Sequence, residues 1–168
     1  MRKFMIAAAM MATTAGLAAT PVNAEEFRAS KVITEFNEDI LFAVLRQMGA
    51  TWEPAKNDFG DYLITFPNGL RATARFTACS SSTGVCKGTS ISARFGKPSG
   101  MSEDEIRQRT INFNAKWSAG KSYQMQDGRP VVQAYMIVDG GITMENYRVQ
   151  LAVYSDMLKK MNDELYGN

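Results

Sequence analysis

The sequence predicts an α+β domain: an antiparallel sheet of about five to six strands with three helices, in the order α-β-β-β-β-α-β-β-α. Two observations carry this. Runs of period-two alternation are joined by short turns marked by Asn68-Gly69 and Asp127-Gly128, which pair neighbouring strands antiparallel. Stretches with apolar residues at helical spacing stand before, between and after those runs, each opened by a capping residue.

The first element is a leader. Arg2 and Lys3 form a positive head, Phe4 to Ala19 an apolar run broken by Thr13, Thr14 and Gly16, and Pro21 precedes Val22-Asn23-Ala24. This is the layout of a secretory signal peptide, with cleavage expected after Ala24. The run is too short and interrupted for a membrane span, which needs about 20 apolar residues. The cleavage site has no cysteine to carry a lipid. Residues 25–168 are thus expected as one exported domain, periplasmic or secreted, with no stable membrane insertion. The leader takes Arg2 and Lys3 with it, so 19 Lys+Arg fall to 17, against 17 Asp+Glu. With no net charge and no clustered basic stripe, the footprint of a nucleic-acid binder is missing.

"NEDILFAVLRQMG" is the first helix. Asn37 caps it, Glu38 and Asp39 suit its positive end, and Gly49 stops it. Ile40, Leu41, Val44, Leu45 and Met48 make its apolar stripe. "ATWEPA" and "DYLITF" read as strands around the turn "KNDFG", and Asn68-Gly69 leads into "LRATARFTAC", where Leu70, Ala72, Ala74, Phe76 and Ala78 share one face. "TSISARF" alternates likewise through Ile91, Ala93 and Phe95.

Cys79 and Cys86, the only cysteines, flank a Ser-rich loop between those two strands. A structural zinc site wants four Cys/His ligands, and the chain has no histidine. A thioredoxin-like pair would be spaced C-x-x-C. Outside the cytoplasm two lone cysteines pair, so a disulfide is expected, with Cα atoms about 4.4–6.8 Å apart. Closing so short a loop contributes about 2–3 kcal/mol.

Ser102-Glu103-Asp104-Glu105 is a capping box opening the second helix, which turns Ile106, Thr110 or Ile111, and Phe113 inward. "KSYQMQ" and "RPVVQAYMIV" flank the Asp127-Gly128 turn. After Asp139-Gly140-Gly141, Thr143 caps a long last helix with Met144, Tyr147, Leu151, Tyr154, Leu158, Met161 and Leu165 at helical spacing.

Reactive chemistry is weakly signalled. Without histidine there is no Ser-His-Asp arrangement. Asp58 and Asp61 around Gly60 form a carboxylate pair of the kind that holds a hard cation, but they read better as turn residues. Glu103-Asp104-Glu105 is a helix start, and "DGGIT" lacks the spacing of a phosphate cradle. No catalytic residue, metal or cofactor is expected.

The order of these elements, with "ILFAVLRQMGA", "GDYLITFPNG", "FTACSSSTGVCKGTSISARF", "INFNAKW" and "GGITMENYRVQL", resembles the YbjN family of bacterial sensory-transduction regulators over almost all of residues 32–165. The resemblance implies a fold similar to the small chaperones of type III secretion, and a regulatory role in sensory transduction or stress response. It carries no catalytic residues. The family often has an acidic residue in the strand before Gly-Gly, where this chain has "AYMIV", so no role of that acid transfers.

Binding of an unidentified protein, with a homodimer as one form of it, is therefore the expected activity. Candidate surface residues are Asn114 and Trp117 at the end of the second helix, and Tyr147, Tyr154, Met157 and Met161 on the third, whose rings and thioethers adapt to partners. At 100° per residue Trp117 falls on the face of Phe113, which favours core packing, while Asn114 is expected at the surface or as a helix cap. The alternative is a small-molecule or envelope accessory domain with a pocket between sheet and helices. An exposed apolar patch favours the first reading and a concave polar pocket the second. Mass measurement of protein from the periplasmic fraction should give a chain beginning at Glu25. An intact Met1 in the membrane fraction would refute the export reading.

Overall fold

The computed structural model describes residues 25–167; the leader expected over residues 1–24 lies outside them. The described chain runs β1 (Val32–Ile33), α1 (Glu38–Gln47), β2 (Thr51–Pro54), β3 (Tyr62–Thr65), β4 (Arg71–Cys79), β5 (Cys86–Arg94), α2 (Glu103–Lys116), β6 (Lys121–Gln124), β7 (Pro130–Ile137), β8 (Ile142–Thr143) and α3 (Met144–Tyr166). Six strands form one antiparallel sheet in the order β2-β3-β4-β5-β7-β6. The expected α+β class and element order stand, with β1 and β8 added as a separate two-stranded sheet. Two residues display no period, so alternation cannot reveal such strands.

Local chemistry sets the boundaries. The Asn37 carboxamide accepts from the Ile40 N–H at 3.0 Å, and Thr143 Oγ1 accepts from the Asn146 N–H at 3.0 Å. The Ser102–Glu105 capping box is closed in both directions, which holds the Glu105 carboxyl below its ordinary range through the Ser102 hydroxyl and N–H. At the Asn68-Gly69 turn Gly69 takes φ +79°, left-handed backbone that disfavours a side chain.

One face of the sheet presents Ile64, Ala72, Ala74, Ile91, Ala93 and Val132 to the core, where α1 and α3 pack. The alanines leave room for large rings. Tyr154 donates to the Val132 carbonyl at 2.9 Å, and the Tyr147 ring lies 4.7 Å from that of Phe36. Burial pushes both phenols well above the ordinary tyrosine range. On α2, Thr110 is the residue turned inward, and Ile111 is exposed.

This corrects the expectation for α3. Tyr147, Tyr154, Met157 and Met161 are between 0 and 3 % exposed and form no partner surface. The reason is that α3 touches the sheet and also α1 and α2. A helix packed on several sides needs a wider apolar arc than one lying on a sheet alone.

Cys79 and Cys86 are joined, S–S 2.05 Å. Their Cα atoms are 3.8 Å apart, closer than expected, and the two residues stand directly opposite each other in the β4–β5 ladder. Ala78 departs from the inward face: its φ of +49° turns the chain there and leaves it exposed.

Tyr154→Asp should abolish cooperative unfolding followed by circular dichroism. Tyr154→Phe should keep the fold and lower stability by about 1–3 kcal/mol in urea, as one buried hydrogen bond is lost. Val149→Glu, at an exposed position of α3, should stay within about 0.5 kcal/mol.

Candidate functional site

The alternation that sends alanines inward sends polar residues to the opposite face. Thr73, Ser92 and Gln133 form one cross-strand row, and Arg75, Ser90 and Tyr135 the next. Along β4, Arg71 and Arg75 point the same way, separated by about 13 Å at the rise of a strand. Because Thr73 pairs with Ser92, Arg94 comes to the same end of the face as Arg71. A concavity of about 810 Å³ lies over the arginines, Thr73, Ser90, Ser92 and Gln133, with Tyr135 next to Ser90 just outside it, and is walled on one side by Asn57, Phe59 and Asp61 of the β2–β3 connection.

Asp61 organises that wall. Its side chain is 3 % exposed and accepts from Arg75 Nε and Nη2, both at 2.7 Å, and from Asn57 Nδ2 at 3.0 Å. The Ala55 N–H donates to the Asp61 carbonyl at 2.7 Å, closing the connection on itself. The exposed Phe59 ring covers the Arg75 guanidinium at 4.2 Å. Arg75 is thus gripped along one edge and one face, with Nη1 left over, and its hydrogen bonds to Asp61 raise its pKa further. Asp61 is committed to Arg75 and Asn57, which supports the reading of Asp58 and Asp61 as turn residues.

The other two arginines are less constrained. Arg71 lies 3.6 Å from Glu53 with both side chains mostly in water, a pair that contributes little. Arg94 is exposed and has no side-chain partner among the described residues. Arg71, Arg75 and Arg94 face the concavity with Asp61 as the one acidic lining residue.

An apolar strip adjoins this groove through Tyr135. The pairing of β6 with β7 ends at Lys121–Gln133, so β7 beyond Gln133 has no strand on that edge among the described residues. Tyr135 and Ile137 there are 52 % and 57 % exposed, and Val149 and Val153 of α3 line a cavity of about 250 Å³ beside them. Tyr135 lies across Gly88, where a Cβ would meet its hydroxyl at 2.3 Å, and accepts from Thr77 Oγ1 at 3.2 Å. Only glycine permits that close approach.

A family model described as "Putative bacterial sensory transduction regulator" matches residues 37–166. The chain belongs to the YbjN family. Among solved structures, the crystal structure of YbjN, "a putative transcription regulator from E. coli", is similar with TM-score 0.59 and 16% identity, covering 78% of this chain and 91% of that one. That likeness shows the YbjN fold. No curated protein matches the sequence.

The site residues expected from sequence are dispersed in this YbjN fold. Tyr147, Tyr154, Met157 and Met161 are core. Asn114 neither caps α2 nor stands free: its amide donates to the Ser122 carbonyl at 2.8 Å and accepts from the Ser122 N–H at 2.7 Å, imitating a neighbouring strand on β6. Trp117 is not core either. It is 37 % exposed beside Lys160, whose Nζ sits 4.3 Å from its ring. Helical geometry stops at Lys116, and Trp117 is extended at φ −130°, so the 100° rule no longer places it.

Sequence periodicity alone does not bring together the groove residues Arg71, Arg75, Arg94, Asp61, Ser90 and Ser92, and the fold gathers three arginines on one face although the sequence shows no basic stripe. The signal lay in the polar half of "RATAR" and "SISAR", two alternating runs whose pairing register places their arginines on one face. Arg75→Ala, which removes two of the three side-chain donors to Asp61, should lower stability by about 1–3 kcal/mol in chemical denaturation. Arg94→Ala should stay within about 0.5 kcal/mol.

Proposed function

We propose that this YbjN chain is an exported, non-catalytic regulatory module that works by holding a protein partner against the polar face of its sheet and the adjoining open edge formed by β7 and α3. The observation that carries the reading is the joining, through Tyr135, of a polar basic groove to an exposed apolar strip. A small ligand needs a concave pocket with a few convergent polar groups. A protein contact needs an apolar centre with a polar border over a larger area, and the groove and strip together supply both. The alternative, a small-molecule pocket between sheet and helices, is disfavoured because buried side chains occupy that space. The family description as a sensory transduction regulator agrees with a role exercised by binding. Export and the periplasmic address rest on the leader described above.

A photo-crosslinking residue at Ser92, in the groove, and another at Val149, in the strip, should each yield a discrete protein adduct in the periplasmic fraction. One at Asp104, on exposed α2, should not. An adduct of twice the chain mass would identify the partner as a second copy. Absence of adducts at both Ser92 and Val149 would sink the reading.

A further inference from the structure

We infer that the groove takes an extended acidic segment of the partner, gripping two carboxylates through Arg75 at one end and the Arg71–Arg94 pair at the other. This rests on the protein-binding reading above and names the chemistry of the contact.

Charge complementarity is the first argument. The residues lining the groove include three arginines and one aspartate; the aspartate and Arg75 offset one another, so the positive surplus lies on Arg71 and Arg94, and Arg75 adds a fixed donor edge. Residues 25–168 carry 17 cationic and 17 acidic side chains, so this excess is local. The occupant is not the chain's own leader, since residues 1–24 hold Arg2 and Lys3 and no carboxylate.

Preorganisation is the second. Holding an arginine by a buried carboxylate and an aromatic face removes the freedom it would otherwise lose on binding, and aims its remaining N–H groups. Arg94, exposed and without a side-chain partner among the described residues, and Arg71, weakly held by Glu53, are available to a ligand.

Spacing is the third. Arg71 and Arg75 are i and i+4 on a strand, about 13 Å apart. In an extended peptide, side chains at i and i+4 have the same separation and direction. A peptide lying along β4 therefore meets both cationic ends at once, while the hydroxyls of Thr73 and Ser92, in the row between them, face its i+2 side chain. A single small anion spans only one end.

The test uses the whole protein and fluorescently labelled peptides in low salt. The probe has Glu at two positions four apart, separated by Ser and Thr; its controls have Gln at both positions, or the two Glu adjacent. The inference expects the spaced Glu peptide to bind, the Gln peptide to lose at least about tenfold, the adjacent-Glu peptide to be intermediate, and added salt to weaken binding. Arg94→Glu and Arg71→Glu, both at exposed positions, should each weaken the spaced peptide about tenfold or more with circular dichroism unchanged. Equal binding of the Gln peptide, indifference to spacing, displacement by inorganic phosphate at the peptide's own concentration, or tighter binding of single-stranded DNA would each overturn it. If the spaced peptide fails while a crosslinker at Ser92 still captures a protein, this inference falls alone. If that crosslinker captures nothing, the underlying reading falls too.

Discussion

Everything in this fold depends on a size match across one interface: small residues on the sheet against large ones on α3. Ala72, Ala74, Ala93 and Ala134 keep the inner face low, so Tyr147, Tyr154, Leu158 and Met161 can lie close to it. Close packing at crystal-like density makes such a match sensitive to single methylenes. Two buried phenols are tolerated because each has a partner, Tyr154 on the Val132 carbonyl and Tyr147 on Thr89 Oγ1. With α1 and α2 flanking α3, the hydrophobic contribution to folding is concentrated on this side of the sheet.

The other face is thereby released from packing duty, and its polar residues satisfy one another. Gln133 donates to Ser90 Oγ at 3.0 Å, Thr77 to Tyr135, and Arg75 to Asp61. A carboxylate as buried as Asp61 is costly without charged donors, so the Arg75 fork and the Asn57 amide are conditions for the β2–β3 connection to close. That closure raises the wall of the groove and sets Phe59 over the guanidinium. The same ion pair thus shapes the concavity and fixes one of the cations inside it.

Periodicity explains what was legible beforehand. Long alternating runs, Asn-Gly and Asp-Gly turns and side-chain caps announce themselves locally, which is why helix starts at Asn37, Ser102 and Thr143 and the β4–β5 hairpin could be placed from sequence. What was hidden depended on pairing between distant segments. Arg71 and Arg94 become neighbours only through the Thr73–Ser92 register, and Asp61 meets Arg75 only after β3 turns back along β4. The width of the α3 stripe was visible in its Tyr and Met content, but a wide stripe has two readings, an exposed surface or a helix packed on several sides. Knowing where α1 and α2 sit decides between them. Trp117 failed for a different reason, since a residue one step past a helix end no longer obeys the helix's angular rule.

The treatment of the sheet's edges bears on function. An open strand edge invites pairing with other chains, and folded proteins blunt it. Here β6 is blunted by the Asn114 amide, which occupies both backbone groups of Ser122. On β2, Pro54 removes a donor at the end of the strand. Past Gln133, β7 has neither device: no strand pairs there among the described residues, and its exposed side chains are Tyr135 and Ile137, with Val149 and Val153 alongside. A chain that protects one edge by a specific side-chain bond and leaves the adjoining stretch apolar is unevenly guarded. The unguarded stretch meets the basic groove at Tyr135, so a partner crossing from groove to strip would pair its carboxylates with the arginines and then cover apolar surface that water otherwise touches. Charge would set the approach and alignment of that partner, and apolar burial its residence.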